Sequence, residues 1–342
     1  SGTYPITGSG ASAANYSISY APGTLTIANA LLTITADSFT RTYGAANPTF
    51  TASYAGFIGG DTPAVVSGLL FNTSATVGSG ASAYTITPFG ATAPNYGINY
   101  VPGTLTINAA DLTIRADNAS RTYGAANPAF TATFTGLVAG DTAANISGLS
   151  LATAAGAASG VGDYAITASG GANPNYNITH QPGTLTVNPA ALTITADNAT
   201  KTYGSANPTL TASFSGLVNG DLSSVVSGLA LGSTATTSSG VGGYPITGGG
   251  ASAANYAITY APGALTVNPA ALTITADNAS KTYGAANPAL SASFSGLVNG
   301  DLSSVVGGLS LGTTATAGSS VGGYPITGSG ASAANYSISY AP

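Results

Sequence analysis

The sequence predicts a mainly β protein with one short helix per module, built as a tandem array of 80-residue repeats that form an extended rod. Three observations predict it. Thr-Tyr-Gly recurs around Tyr43, Tyr123, Tyr203 and Tyr283, each 80 residues after the last, and Gly-Asp recurs with the same period at Asp61, Asp141, Asp221 and Asp301. Such a fixed period is the mark of a repeat architecture. Between these motifs apolar residues alternate with Thr and Ser, the period-2 pattern of half-buried strands. Gly, Pro and Asn cluster between the alternating segments and read as turns.

Taken in order, the copy at 190–269 begins with Leu192-Thr193-Ile194-Thr195-Ala196, an alternating strand. Tyr203-Gly204-Ser205-Ala206-Asn207-Pro208 reads as a turn, and Leu210, Ala212 and Phe214 mark a second strand. Asp221 is followed by Leu222, Val225 and Val226. That i, i+3, i+4 spacing predicts a helix of one or two turns, N-capped by the Asp and pressing its apolar face on the sheet. Leu229 and Leu231 predict a third strand, Tyr244 and Ile246 a fourth, and Tyr256, Ile258 and Tyr260 one face of a fifth. Leu185 and Val187 show the sixth, closing the preceding copy.

The junction Val187-Asn188-Pro189-Ala190-Ala191-Leu192 leaves about three or four residues between strands, stiffened by Pro189 and Pro269. A globule of this size has a diameter near 30 Å, so four in line predict a rod on the order of 120 Å. The expected domains are 1–29, the C-terminal part of a repeat; 30–109, 110–189 and 190–269, three whole modules; and 270–342, a module lacking its final strand. Residues 191–262 and 271–342 differ at 13 of 72 aligned positions, and residues 5–22 are identical to 325–342. The expectation is a window of a longer array.

Composition excludes most chemistry. Only 4% of the 342 residues are charged, against roughly 25% in an ordinary soluble domain. There are ten Asp, no Glu, one His and no Cys, which rules out most metal cages, thiol catalysis and paired-Glu acid–base work. Five basic residues in a chain of net charge −5 argue against a nucleic-acid partner. No apolar run approaches the roughly 18 residues of a spanning helix, so no membrane insertion by this segment is expected.

The charged residues fall into pairs: Asp37/Arg41, Asp117/Arg121, Asp197/Lys201 and Asp277/Lys281, each expected to form an ion pair across a turn. Two separated Asp per repeat fall short of the six to eight oxygens calcium takes, so no metal is expected. His180 replaces the Tyr found at Tyr20, Tyr100, Tyr260 and Tyr340, which makes it structural, and Asp163 near it has no triad motif around it. Gly248-Gly249-Gly250 lacks the Lys-Thr of a phosphate loop and reads as a loop. Tyr256 and Tyr260 are expected in the core. Thr193 and Thr195 are expected on an outward ladder explained by β-propensity. The sequons at Asn118 and Asn198 are expected by chance in a chain of this composition. No catalytic, cofactor-binding or metal residue is assigned.

The segments LTITADNASKTYGAANPALSASFSGLVNGD, VGGYPITG and ANYSISYAPGTLTI together resemble the MBG-type repeat, the Thr-Tyr-Gly variety, of large bacterial surface proteins. The resemblance covers the whole chain. It implies a β-grasp-like α+β module, with Ig-like β-sandwich modules as the alternative, and tandem display in exported adhesins, many of them filamentous-haemagglutinin-like. It carries no catalytic residues and no cofactor.

The expected function is a non-enzymatic stalk segment of an extracellular bacterial adhesin or biofilm-matrix protein, holding a binding region away from the cell surface. The alternatives are a glycan-binding adhesive module and a self-assembling filament subunit in which residues 23–29 complement the strand that 270–342 lack. Its expected partners are neighbouring modules of the same chain, with other copies of itself or surface glycans as the further candidates.

Overall fold

The structure is a computed structural model that describes residues 1–341. In the repeat at 190–269 seven strands follow one another: β1 (Ala190–Ala196), β2 (Ala199–Thr202), β3 (Ala212–Ser215), β4 (Ala230–Ser233), β5 (Gly242–Gly249), β6 (Tyr256–Ala261) and β7 (Gly263–Asn268). They form two sheets, ordered β3-β1-β6 and β2-β7-β5-β4. β1 pairs antiparallel with β3 and parallel with β6, placing Leu192 beside Ile258 and Ile194 beside both Phe214 and Tyr260. β7 pairs parallel with β2 and antiparallel with β5. β1 of one sheet lies against β5 and β7 of the other. The alternation seen in sequence becomes the buried interior: Leu192, Ile194, Ile246, Leu265 and Val267 are at most 1% exposed. Each such side chain contributes about 1.5–3 kcal/mol by leaving water.

The chain crosses from the three-stranded to the four-stranded sheet between β1 and β2 and again between β6 and β7. Gly263 stands where these crossings meet, since a Cβ there would lie 2.3 Å from the Ala196 carbonyl oxygen. Asn198 secures the same corner by accepting the Ala264 N–H at 2.8 Å. The β1, β3 and β6 pattern recurs in the repeats beginning at residues 30, 110 and 270. Ahead of them, Gly2–Ile6 pairs antiparallel with Gly23–Ile27.

Several expectations are corrected. No α-helix occurs among the described residues. The stretch after Asp221 is a single 3-10 turn, Ser223–Val225, closed by Val226 N–H to the Ser223 carbonyl and followed at once by extended backbone. Two adjacent Val and two Ser disfavour propagation, and Ser227-Gly228 turns the chain away. Leu222 is 71% and Val225 40% exposed, so no residue of the turn is buried. A β-grasp-like layout needs a helix across a sheet; two sheets of three and four strands face each other instead.

β2 was not expected as a strand. Ala199-Thr200-Lys201-Thr202 has no apolar alternation, because its inward residue is Lys201. The Gly triplet is not wholly a loop either, since Gly248 and Gly249 end β5. Gly248 lies under the Tyr260 ring, where a Cβ would come within 3.2 Å. The junction between repeats is also shorter than expected: one residue, Pro269, separates β7 from the strand Ala270–Ala276.

The expected ion pairs do not form. Asp197 accepts hydrogen bonds from Thr211 and Ser213. Lys201, only 7% exposed, donates to the carbonyls of Ser205 at 3.2 Å and Thr236 at 2.5 Å. Arg121 fills the same place one repeat earlier, donating to the Gly156 carbonyl and to Asn127. The buried cation therefore ties two loops together through backbone oxygens. Lys201→Met is expected to cost about 1–3 kcal/mol, the penalty for stranding those carbonyls. Lys201→Arg should lose far less, and equilibrium denaturation of both variants checks the pair.

Close contacts gather the chain into two compact units. One comprises Ser1–Ala119, Pro128–Ala154 and Tyr164–Leu185; the other comprises Ser120–Asn127, Ala155–Asp163 and the chain from Thr186. Within the first, one core cluster contains Tyr43, Leu105 and Ile107 together with Ala110, Leu112, Ile114 and Tyr176. Within the second, Tyr203 and Val267 cluster with Ala270, Leu272, Ile274 and Tyr336. In both units the apolar interior runs through the junction between consecutive repeats.

Candidate functional site: the joint between repeats

The recurring motifs converge at these junctions. Between the repeats at 190–269 and 270–342, Tyr203 extends from the end of β2, held by its N–H on the Asn268 carbonyl at 2.8 Å. Its phenol donates to Asp301 Oδ2 at 3.1 Å. Tyr336, in the later repeat, donates to the same oxygen at 2.7 Å and accepts the Val298 N–H at 3.0 Å. The two rings meet edge to face, with centroids 5.6 Å apart and planes at 82°. Perpendicular contact suits the aromatic quadrupole.

The arrangement repeats. Tyr123 and Tyr256 share Asp221 Oδ2 at 3.1 and 2.7 Å, and Tyr43 and Tyr176 share Asp141 Oδ2 at 3.1 and 2.8 Å. Their ring centroids lie 5.6 and 5.5 Å apart. Gly-Asp therefore does not cap a helix; its carboxylate receives one phenol from its own repeat and one from the repeat before.

Further contacts flank each node. Gly204 has φ +86°, and a Cβ there would lie 2.5 Å from Val298 Cγ2. Asn335 accepts the Val241 N–H at 3.0 Å, as Asn255 accepts that of Val161. Asn299, itself at φ +58°, donates to the Thr237 carbonyl at 3.2 Å. The Thr-Tyr-Gly, Gly-Leu-Val-Asn-Gly-Asp and Asn-Tyr motifs are thus three sides of one contact. Tyr203 is 6% exposed there, whereas Tyr283, its counterpart in the repeat at 270–342, is 69% exposed.

Burial raises the phenol pKa of Tyr176, Tyr256 and Tyr336, and the neighbouring carboxylate adds to the rise. The fold favours the neutral phenol. That contribution is fully present below the ordinary value near 10 and is lost as pH rises through the raised values. Alkaline titration of stability should therefore fall steeply above pH 10. A triple variant Tyr176→Phe, Tyr256→Phe, Tyr336→Phe should flatten that fall, as denaturation midpoints across the pH series would report.

The remaining candidates take structural places. His180 is exposed beside Ile114 in the sheet, in the register position of Tyr260. Asp163 accepts from Thr186 at 2.7 Å. Tyr256 is buried as expected, while Tyr260 is 39% exposed and its phenol oxygen accepts the Ala251 N–H. Thr193 and Thr259 hydroxyls bond each other at 3.1 Å rather than standing free. Asn118 accepts the Thr184 N–H. No cluster of three or more His, Cys, Asp or Glu that could hold a metal occurs among the described residues. A cleft of about 620 Å³ in the last repeat is lined by Lys281, Tyr283, Leu290, Tyr324 and Ile326. In the preceding repeat the corresponding space between β2 and β5 is where β7 lies.

The MBG domain profile, YGX type, matches residues 1–26, 32–106, 112–186, 192–266 and 272–342. The chain belongs to the MBG domain family. It is a run of five tandem matches to this domain, a structural, adhesin-type repeat. No curated protein matches the chain. Among solved structures it is similar to protocadherin gamma B7 extracellular cadherin domains 1–4, at 11% identity over 72% of this chain and 74% of that one, with a TM-score of 0.25. The protocadherin gamma B4 extracellular domain gives 9% identity over 94% and 70%, with a TM-score of 0.23. Immunoglobulin domains 1–4 of Sidekick-1 give 10% over 63% and 66%, with a TM-score of 0.16. Likenesses at this level carry no argument about the MBG array.

Proposed function

We propose that this MBG array is a non-enzymatic stalk segment of an extracellular bacterial surface or matrix protein, holding a binding region away from the cell. The observation that carries the reading is the threefold recurrence of one joint, with the same Tyr–Asp–Tyr contacts each time. Consecutive repeats are joined by a shared core as well as a short linker, an arrangement in which neighbour contacts add to the stability of each unit. A spacer needs this: its length is set by the number of repeats and its stiffness by the joint. Low charge and the lack of thiols suit a spacer.

The test displays the array on a bacterial surface with a label at its far end. Removing one whole period, residues 190–269, should lower the label's height by one repeat while display is kept. Unchanged height contradicts the stalk. Binding of the purified chain on a glycan array would favour an adhesive module instead, and polymer in electron micrographs would favour a filament subunit.

A further inference from the structure

We propose that each joint is a site of oxidative tyrosine coupling, at which Tyr43 with Tyr176, Tyr123 with Tyr256, and Tyr203 with Tyr336 become joined carbon to carbon as dityrosine. The link would lace consecutive repeats covalently. It rests on the geometry of the joint and stands whether or not the array is a stalk.

Three observations point to it. The first is proximity: the three tyrosine pairs have ring centroids 5.5 to 5.6 Å apart, and all three span a joint. Holding two reactants at contact distance removes most of the entropic cost of bringing them together.

The second is the proton acceptor. One carboxylate oxygen receives both phenols, at 2.7 to 2.8 Å from one ring and 3.1 Å from the other. A neutral phenol loses an electron far more readily when its proton can leave along an existing hydrogen bond. The raised phenol pKa values keep the proton in place until that moment.

The third is composition. The chain has no Cys, Met or Trp and 19 Tyr. Thiols and thioethers are the usual sinks of protein oxidation, and with none of them present tyrosine is the side chain on which an oxidising equivalent comes to rest.

The chemistry balances simply. Each phenol gives one electron to the oxidant and its O–H proton to the shared carboxylate, which releases the first proton to solvent before it takes the second, leaving two phenoxyl radicals. These join through the ring carbons beside the oxygens, and the two hydrogens on those carbons leave as protons while both phenols are restored. Per link, two electrons and two protons are released. Hydrogen peroxide, reduced to two molecules of water, accepts both. Joints are buried, so the oxidant at the phenol must be a small one-electron carrier or a radical transferred from an exposed tyrosine. Asp61 is the internal contrast: it accepts Tyr96 at 2.8 Å, and Tyr96 has Phe57 as its ring neighbour.

The full chain would be oxidised at high dilution with hydrogen peroxide and a haem peroxidase. A parallel sample would use a ruthenium photosensitiser with persulfate. Dityrosine fluorescence and mass spectrometry of proteolytic peptides provide the readouts. The expected result is three intramolecular links, 43 to 176, 123 to 256 and 203 to 336, each two hydrogens lighter than its parent peptides. Tyr203→Phe should remove the third link and leave the other two. Asp221→Asn should reduce the 123 to 256 link several-fold, with the other joints of the same molecule as folding controls. Links found only between molecules, through Tyr16 and Tyr283 at 80% and 69% exposure, would overturn the proposal. Equal yields at all three joints in Asp221→Asn would also overturn it, since the carboxylate would then play no part.

Discussion

Asp301→Ala should destabilise the last two repeats by about 2–4 kcal/mol, measured by equilibrium denaturation of the full chain. The carboxylate accepts two phenols, and hydrogen bonds to a charged group contribute about 1.5–3 kcal/mol each. Both donors, Tyr203 and Tyr336, lie at 6–7% exposure, so water replaces the lost acceptor poorly. Tyr336 retains the Val298 carbonyl at 3.3 Å as an alternative acceptor, which brings the total below two full hydrogen bonds. Among the described residues Tyr203 has no second acceptor of that kind, so it should bear most of the cost. Asp61→Ala removes a carboxylate that receives Tyr96, which keeps the Ile58 carbonyl at 3.3 Å as an alternative acceptor, so it should cost less than half as much. If both variants lost the same amount, the phenol from the neighbouring repeat would contribute nothing.

The second large effect isolates the joint sterically. Gly204 and Gly284 occupy the same place in successive repeats, with φ of +86° and +84°. Replacing either by Ala forces an L-residue into the left-handed region at a cost of about 1–2 kcal/mol. Only at Gly204 does the new Cβ meet the next repeat, 2.5 Å from Val298 Cγ2; at Gly284 it meets nothing within 4 Å. Relief requires Val298 to leave its rotamer or the joint to open, which adds about 1–3 kcal/mol. Gly204→Ala should therefore be the more damaging by that difference, with the backbone term cancelling between the two. Adding Val298→Ala to Gly204→Ala should restore part of the loss.

The strands were legible because Leu192, Ile194, Phe214, Ile246 and Tyr256 alternate on a buried face, and that pattern is local. The repeat was legible for the same reason that the joint was not. An 80-residue period marks which residues recur without saying what they touch. Tyr203-Gly204 has turn chemistry and reads as a turn; that its ring crosses to an Asp 98 residues further on is a tertiary fact. Asp221 has the residue type and position of an N-cap, and the local reading fails because Tyr256 and Tyr123 take its carboxylate. Lys201 suggested a partner in Asp197, but β2 turns it inward onto carbonyls. One signal could have exposed the joint: Thr-Tyr-Gly, Gly-Asp and Asn-Tyr recur in every copy, and three motifs kept at one period are most simply sides of one contact.

The joints should couple the repeats energetically. The most direct test of that coupling is the denaturant dependence of unfolding, whose slope scales with the surface exposed in one cooperative step. The wild-type chain should unfold with a slope larger than a single repeat can give. The triple variant Asp141→Ala, Asp221→Ala, Asp301→Ala should fall to the single-repeat slope as the repeats come to unfold independently. Equal slopes in the two proteins would show that the carboxylates at the joints do not couple the repeats.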